Sequence, residues 1–510
     1  MSFEIKKEKL WVKVCAEKMK TEQSIETQIT LPDYCGEIKK ILKCTLIPGI
    51  HSVSRTGERV SARGNILLRI LYCAENDRID CYEKNIDLAV SGQMKDVTDD
   101  TVLTAKAETS YVNCRVSSPR KITVEGSVSV EFKGERINKK EYPFAVESPC
   151  VQVLNKEIEN ENTICIGEKI FDMAETVSLP SQKPSVGKLI HRDAYVIIES
   201  KKAVAGKLLI KGECVTEIVY CTQDEGSSVQ RFSHSMPLSQ IIDIDGIDDD
   251  MECNVICAPS LLTVNTKNSS DDSGRLIEIA LRISVQVSGT KKEKVKFISD
   301  CYCTDGEIEN EYTLTDVLCP LTAFEKTETV KSVIDIGSQV KEIYDIRISD
   351  VKTQMKGEGD KAKGTCKAVA CVLYIDEKDE PSYAEKELEF LSEVPLKGTY
   401  ESVKCDYYAF PKKMEWTSSE KGKAELSIEF VVNVKICSVS SVRVLENIKK
   451  AEGENKNLRK PALTIYFCDA GEKIWDIAKK YRTTSEAVRE ENGIEGEEIK
   501  GARMLLIPSV

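Results

Sequence analysis

Histidine is almost missing from this chain, with three residues, His51, His191 and His234, in 510. No two cysteines form a C-x-x-C pair, and no run is rich in lysine and arginine. No window approaches the roughly 18 to 20 apolar residues that cross a bilayer as a helix. The phosphate-cradling G-x-x-x-x-G-K-[ST], the metal-binding H-E-x-x-H and the nucleophile elbow G-x-S-x-G are all absent. Each gap removes a class of function. So few imidazoles, and no closely paired thiols, leave no closed zinc site to build. No nucleophile stands beside a base, so no catalytic residue, no metal ligand and no cofactor is assigned. A formal net charge of −12 argues against nucleic acid, whose phosphates demand a basic face. The opening MSFEIKKEKLWVKVCAEKMK has no apolar stretch of signal-peptide length, so a cytoplasmic protein without direct membrane insertion is expected.

What is present is the composition of a folded protein: 41% hydrophobic, 31% charged, with 15 prolines. Twenty cysteines would mean disulfides in a small secreted chain. Here most lie in strand-like runs, as Cys73, Cys114, Cys214, Cys221 and Cys437 do, and read as reduced thiols acting as small hydrophobes. The acidic DIDGIDDD at 243–250 lacks the ligand spacing of an EF-hand and reads as a solvated turn.

The chain repeats itself. GNILLRILYCAEND from Gly64 and GECVTEIVYCTQDE from Gly212 each place a tyrosine eight residues after the glycine, followed by cysteine. GTCKAVACVLYIDEKDE from Gly364 spaces glycine and tyrosine by ten. An even insertion keeps every side chain on its face of a strand, so the likeness survives it. Tyr72, Tyr220 and Tyr374 are 148 and 154 residues apart. Downstream, KITVEGSVSVEF, LIEIALRISVQV and AELSIEFVVNVKI align on Val128, Ile283 and Val432, at spacings of 155 and 149. Each copy also opens on a polar lead, LPDYCGEIKKIL, LPSQKPSVGKLI or LCPLTAFEKTETV. Strict alternation with β-branched residues favours antiparallel strands, and the short spacing between them argues against parallel α/β units. The fold class expected is mainly β: three tandem, sandwich-like units over 1–150, 151–300 and 301–447.

These copies resemble the DUF3794 family, whose members carry a leucine-proline lead, a central G…LYC-like strand and a late valine-rich strand. The resemblance spans roughly residues 31 to 445 and implies no catalytic residue.

The segment 448–461, charged and ending in proline, reads as a linker, and 462–510 as a separate small domain. LTIYFC alternates like a strand, and EKIWDIAKKY places Ile474, Ile477, Ala478 and Tyr481 at helical spacing. Thr483 followed by Glu486 reads as a capping box for a second helix, which Asn492-Gly493 stops before ARMLLIP returns as a strand. The core expected for this strand–helix–helix–strand order holds Ile465, Phe467, Ile474, Trp475, Ile477 and Leu505.

With its G-x-x-[LI]-W-x-I-A start at 471–478, the segment resembles a LysM domain, a small module that binds N-acetylglucosamine-containing glycans. The resemblance implies a ligand or partner groove between two loops. Its candidate residues are Asp469, Ala470, Gly471, Glu472, Lys473 and Ile474 on one side, and Asn492, Gly493 and Ile494 on the other. Glycan-binding members read G-D-[TS] where this chain has Gly471-Glu472-Lys473, which puts a long cation in the groove wall. Tandem DUF3794 units ending in a LysM module are similar to a family of clostridial spore-coat morphogenetic proteins. That likeness implies a non-enzymatic scaffold in the mother cell at the forespore surface. Its expected partners are a SpoIVA-like coat basement-layer ATPase and other coat proteins. The alternative is a peptidoglycan-binding protein of the cortex or wall.

Overall fold

The computed structural model of the chain describes residues 4–15, 18–223, 228–267, 274–337, 340–420, 422–450 and 463–509. Most of the linker expected over 448–461, namely 451–461, lies outside the described residues. The first set of strands is β1 (Glu4–Cys15), β2 (Met19–Thr30), β3 (Ile38–Thr56), β4 (Arg59–Ala74), β5 (Ile79–Gln93), β6 (Val102–Ser118) and β7 (Lys121–Glu147). The second is β8 (Val151–Ser178), β9 (Val186–Val204), β10 (Lys207–Thr222), β11 (Val229–Asp243), β12 (Glu252–Lys267) and β13 (Leu276–Cys303). The third is β14 (Ile308–Asp335), β15 (Val340–Glu358), β16 (Lys361–Asp376), β17 (Pro381–Pro395), β18 (Val403–Glu420) and β19 (Lys423–Lys450). All pairings are antiparallel, and the same arrangement occurs three times. One sheet is β3-β4-β5, β9-β10-β11 or β15-β16-β17. The other sets a long strand, β7, β13 or β19, between its neighbours.

Alternation explains each sandwich. Along β13, Ile277, Ile279, Leu281, Ile283, Val285 and Val287 are all buried while the residues between them face outward. Each such side chain contributes about 1.5–3 kcal/mol when fully buried. This row packs on Leu208, Ile210 and Tyr220 of β10 across the sandwich. Val124 and Val128 do the same against Ile66 and Leu68 in the first unit, and Ile428 and Val432 against Val372 in the third. The nineteen cysteines whose side chains are described are all free thiols, most of them buried.

The repeat tyrosines fix the register. Strands β4, β10 and β16 each have 16 residues. Gly64 pairs with Leu88 and Gly212 with Leu238, but the residue at that place in the third unit is Cys366, opposite Phe390. The spacing of ten in the third copy is therefore no insertion; its glycine sits two residues earlier in a strand of equal length. The first two glycines share a reason. A Cβ on Gly64 would lie 1.9 Å from the Gly49 carbonyl oxygen, and one on Gly212 would lie 2.0 Å from that of Ile197.

Next to each tyrosine the neighbouring strand carries a β-bulge. Tyr72 pairs with Ile41 and Leu71 with Lys43, leaving Leu42 extra; Ile190 and Tyr344 are extra at the same place in β9 and β15. A bulge turns its surplus residue out of the ladder. All three surplus residues enter one cluster with Leu71, Val219 and Leu373, so the three units meet around a shared apolar centre. Ion pairs ring it. Arg192 Nη2 lies 2.7 Å from Glu83, Arg231 Nη2 lies 2.6 Å from Asp345, and Lys43 pairs with Glu385. Each unit thus touches the next, and the third returns to the first. A second junction gathers Tyr142 of β7, Val295 and Phe297 of β13 and Val444 of β19. There Tyr142 and Thr315 share a 2.9 Å hydrogen bond, and buried Glu161 accepts from Lys435 at 2.6 Å.

Candidate functional site

The terminal module is β20 (Leu463–Cys468), α1 (Ile474–Tyr481), α2 (Ser485–Asn492) and β21 (Arg503–Pro508), with β20 paired to β21. Its core holds Cys468, Ile474, Ile477, Ala478, Val488, Ile499, Leu505 and Ile507. Ile465 and Phe467 are not in it, contrary to the sequence expectation; they are 58% and 76% exposed. The hairpin is apolar on both faces, and only one is covered by the helices. Period two sends Tyr466 and Cys468 inward and Leu463, Ile465 and Phe467 outward. Register sets the outward three opposite Pro508, Leu506 and Met504. The result is an exposed apolar face of paired side chains. Trp475, also expected in the core, is partly buried and packs against it.

Helix α2 starts one residue later than the capping box suggested. Its N-cap is Thr484, whose hydroxyl accepts from the Ala487 amide at 3.1 Å, while Thr483 is fully buried. Gly493, at φ 56°, closes the helix in the left-handed conformation, and the Ile494 amide returns to the Arg489 carbonyl at 3.0 Å.

The two candidate loops are braced by a segment the sequence did not single out. The Gly471 amide donates to the Ile499 carbonyl (2.8 Å), the Ile499 amide to that of Glu472 (2.9 Å), and the Ile474 amide to that of Glu497 (2.9 Å). Gly471 takes φ 90°, open to glycine without strain. Glu472 turns back into the module. Its carboxylate accepts from the Asp469 amide and the Tyr466 hydroxyl, both at 2.8 Å. The amide's hydrogen bond first, then the phenol's, hold the Glu472 carboxyl below the usual range, and the hydrogen bond to Glu472 pushes the Tyr466 phenol up to about 12. Asn492 is equally engaged: its amide donates to the Val488 and Leu506 carbonyls at 2.8 and 2.6 Å and accepts from the Leu506 amide at 2.7 Å. Ile474 is core and Ile494 half-buried against it. Of the nine candidates, Asp469, Ala470, Gly471, Lys473 and Gly493 are exposed. Among the described residues of these loops, the charged side chains of Asp469 and Lys473 are exposed, while those of Glu472 and Asn492 are spent on holding shape.

The histidines lie in body strands β3, β9 and β11, not in this module. His191 accepts from Arg69 at 3.2 Å; burial, then the charges of Arg347, Arg69, Arg231 and Arg192, hold it well below its ordinary pKa and so neutral. His234 faces Glu175 at 3.1 Å. Asp248, Asp249 and Asp250 crowd an exposed turn, where Asp250 pairs with Lys291 at 2.6 Å. Among the described residues no helix is long and apolar enough to cross a membrane.

The molecule is thus a three-unit β body closed on itself, with a small helical module that bears an exposed apolar hairpin. Residues 185–267 match the family model described as SipL, SPOCS domain. That match spans β9 to β12, the strands that the first and third units repeat. No curated protein and no solved structure matches the chain.

Proposed function

We propose that the protein is a non-enzymatic scaffold of the spore coat, acting in the mother cell at the forespore surface and recruiting coat proteins through its terminal module. The SipL match supports the sporulation and coat setting. The partner the sequence resemblance favours is the coat basement-layer ATPase. The observation that carries protein binding is the outward hairpin face, with Leu463, Ile465, Phe467 and Met504 exposed together. Exposed apolar groups gathered on one face favour a protein surface, whose central anchors each hold more than about 2 kcal/mol. A sugar groove, by contrast, needs free polar side chains, and those of Glu472 and Asn492 are already taken.

The test sets two pull-downs from sporulating cells side by side, one scored for coat proteins and one on insoluble peptidoglycan. Phe467→Glu should abolish coat-protein capture, and Lys473→Glu combined with a change at Ile494 should weaken it. Both should leave the module's melting unchanged. Loss of peptidoglycan binding with coat capture intact would replace this reading with the glycan-binding one.

A further inference from the structure

One contact owes nothing to the repeat. Where β13 ends, the Asp300 carboxylate accepts from Trp475 Nε1 at 2.9 Å and from Lys479 Nζ at 2.8 and 2.7 Å on its two oxygens. It also accepts from the Tyr312 hydroxyl at 3.1 Å and the Cys301 amide at 3.0 Å. Tyr302, two residues on, is buried inside the module's core; its hydroxyl donates to the Thr483 carbonyl at 2.7 Å. The Tyr302 ring meets Trp475 edge-on with centroids 4.9 Å apart. Arg482 Nη2 pairs with Glu307 at 2.9 Å. Behind Tyr312 the Arg443 guanidinium lies 3.7 Å from the ring centre, so the contacts run without a break from β19 through β14 and β13 to α1.

Helix α1 divides its residues accordingly. Ile474, Ile477 and Ala478 serve the module's own core, whereas Trp475 and Lys479, four residues apart on one face, and Arg482 at the left-handed C-cap meet the body. By their bulges, the strand ends that correspond to Asp300 and Tyr302 carry Ala145 and Glu147 in β7 and Asn447 and Lys449 in β19. Only the second unit's tip carries the matching aspartate and tyrosine. The tether also starts there, because Lys450 pairs with Ile308, beside Glu307. The twelve residues 451–462 then lead to β20. Module and tip thus belong to one chain, so their contact does not depend on protein concentration.

We propose that Asp300, Tyr302 and Glu307 form an intramolecular docking site for the α1 face of the module. Docking uses up that face and presents the hairpin's apolar side and the two loops outward in one fixed orientation. Only the last consequence rests on the reading of the module as the partner-binding part; the docking itself needs no partner.

Hydrogen exchange on the full chain, with no partner present, tests it. Lys479→Glu lies on an exposed side chain outside the module's core, so it should undock without unfolding. Exchange at 301–304 and 475–483 should then rise about tenfold or more, while β20 and β21 keep their protection. Tyr302→Phe, which removes only the hydroxyl that donates to Thr483, should give a smaller rise at the same segments. Unchanged exchange in Lys479→Glu, or a rise that spreads to β20 and β21, would each overturn the proposal. Because no coat protein enters the measurement, a negative result here leaves the pull-down result standing on its own.

Discussion

The joints among the three body units and the joint between body and module are built on different plans. Within the body, each unit pushes one surplus bulge residue, Leu42, Ile190 or Tyr344, into a common apolar centre, and ion pairs only fringe it. At the module, a single carboxylate gathers an indole N–H and an ammonium, with one aromatic pair beneath it. Apolar burial is indifferent to charge state and holds over a wide range of conditions. A carboxylate-centred contact depends on one proton and on geometry. The body is thereby fixed, and the module is attached by something that can be undone.

The strongest way to break this contrast is at the shared centre. Ile190→Ala removes a buried side chain where three units meet and should lower the body's unfolding free energy by about 3 kcal/mol in urea titration. The module's own transition should stay where it is. Loss of the helix cap in Thr484→Ala should cost about 1 kcal/mol, and only in the module. Acid should separate the two joints without mutation. Burial alone would raise the Asp300 carboxyl, but hydrogen bonds from Lys479 and Trp475, the Lys479 charge and the Tyr312 hydroxyl outweigh it and hold it low. A carboxyl whose pKa is lower docked than free favours docking fully above its free value, about 3.9, and loses that contribution as pH falls through the docked value. Exchange at 475–483 should thus be level through neutral pH and rise below about pH 4, ahead of the β10 amides. Loss of docking already at pH 6 would place control in another group. The smallest effect belongs to Arg482→Glu at the exposed Glu307 pair, within about 0.5 kcal/mol by thermal melting.

Much of the body was legible in the sequence because its information is periodic. The alternation in β13 and the recurrence of Tyr72, Tyr220 and Tyr374 state strand type and register directly. The bulges were not legible, since a surplus residue such as Ile190 looks like any other apolar residue until its ladder partners are known. Gly364 misled for a related reason: the eye aligns glycines, whereas the ladder aligns Cys366. In the module, the order strand–helix–helix–strand was readable, but the fate of Phe467 was not. A two-stranded hairpin with apolar residues on both faces gives no local sign of which face the helices will cover. Thr483 and Thr484 are likewise equivalent as caps in sequence, and burial of the first decides between them. Asp300 and Tyr302 left one faint mark, as a departure from the repeat at the end of the second unit.

The fringe of ion pairs around the apolar centre has a further consequence, because the signs differ from joint to joint. Arg192 of β9 meets Glu83 of β5, Asp345 of β15 meets Arg231 of β11, and Lys43 of β3 meets Glu385 of β17. If the second unit were deleted, Asp345 would be brought against Glu83. If the third were deleted, Lys43 would face Arg231. Only removal of the first unit would juxtapose opposite charges, Arg192 with Glu385. Like charges held together cost free energy, so two of the three possible shortened chains are disfavoured at the new seam. The charge pattern thus acts as an address label for each unit, specifying its neighbours and the order in which the circle is joined.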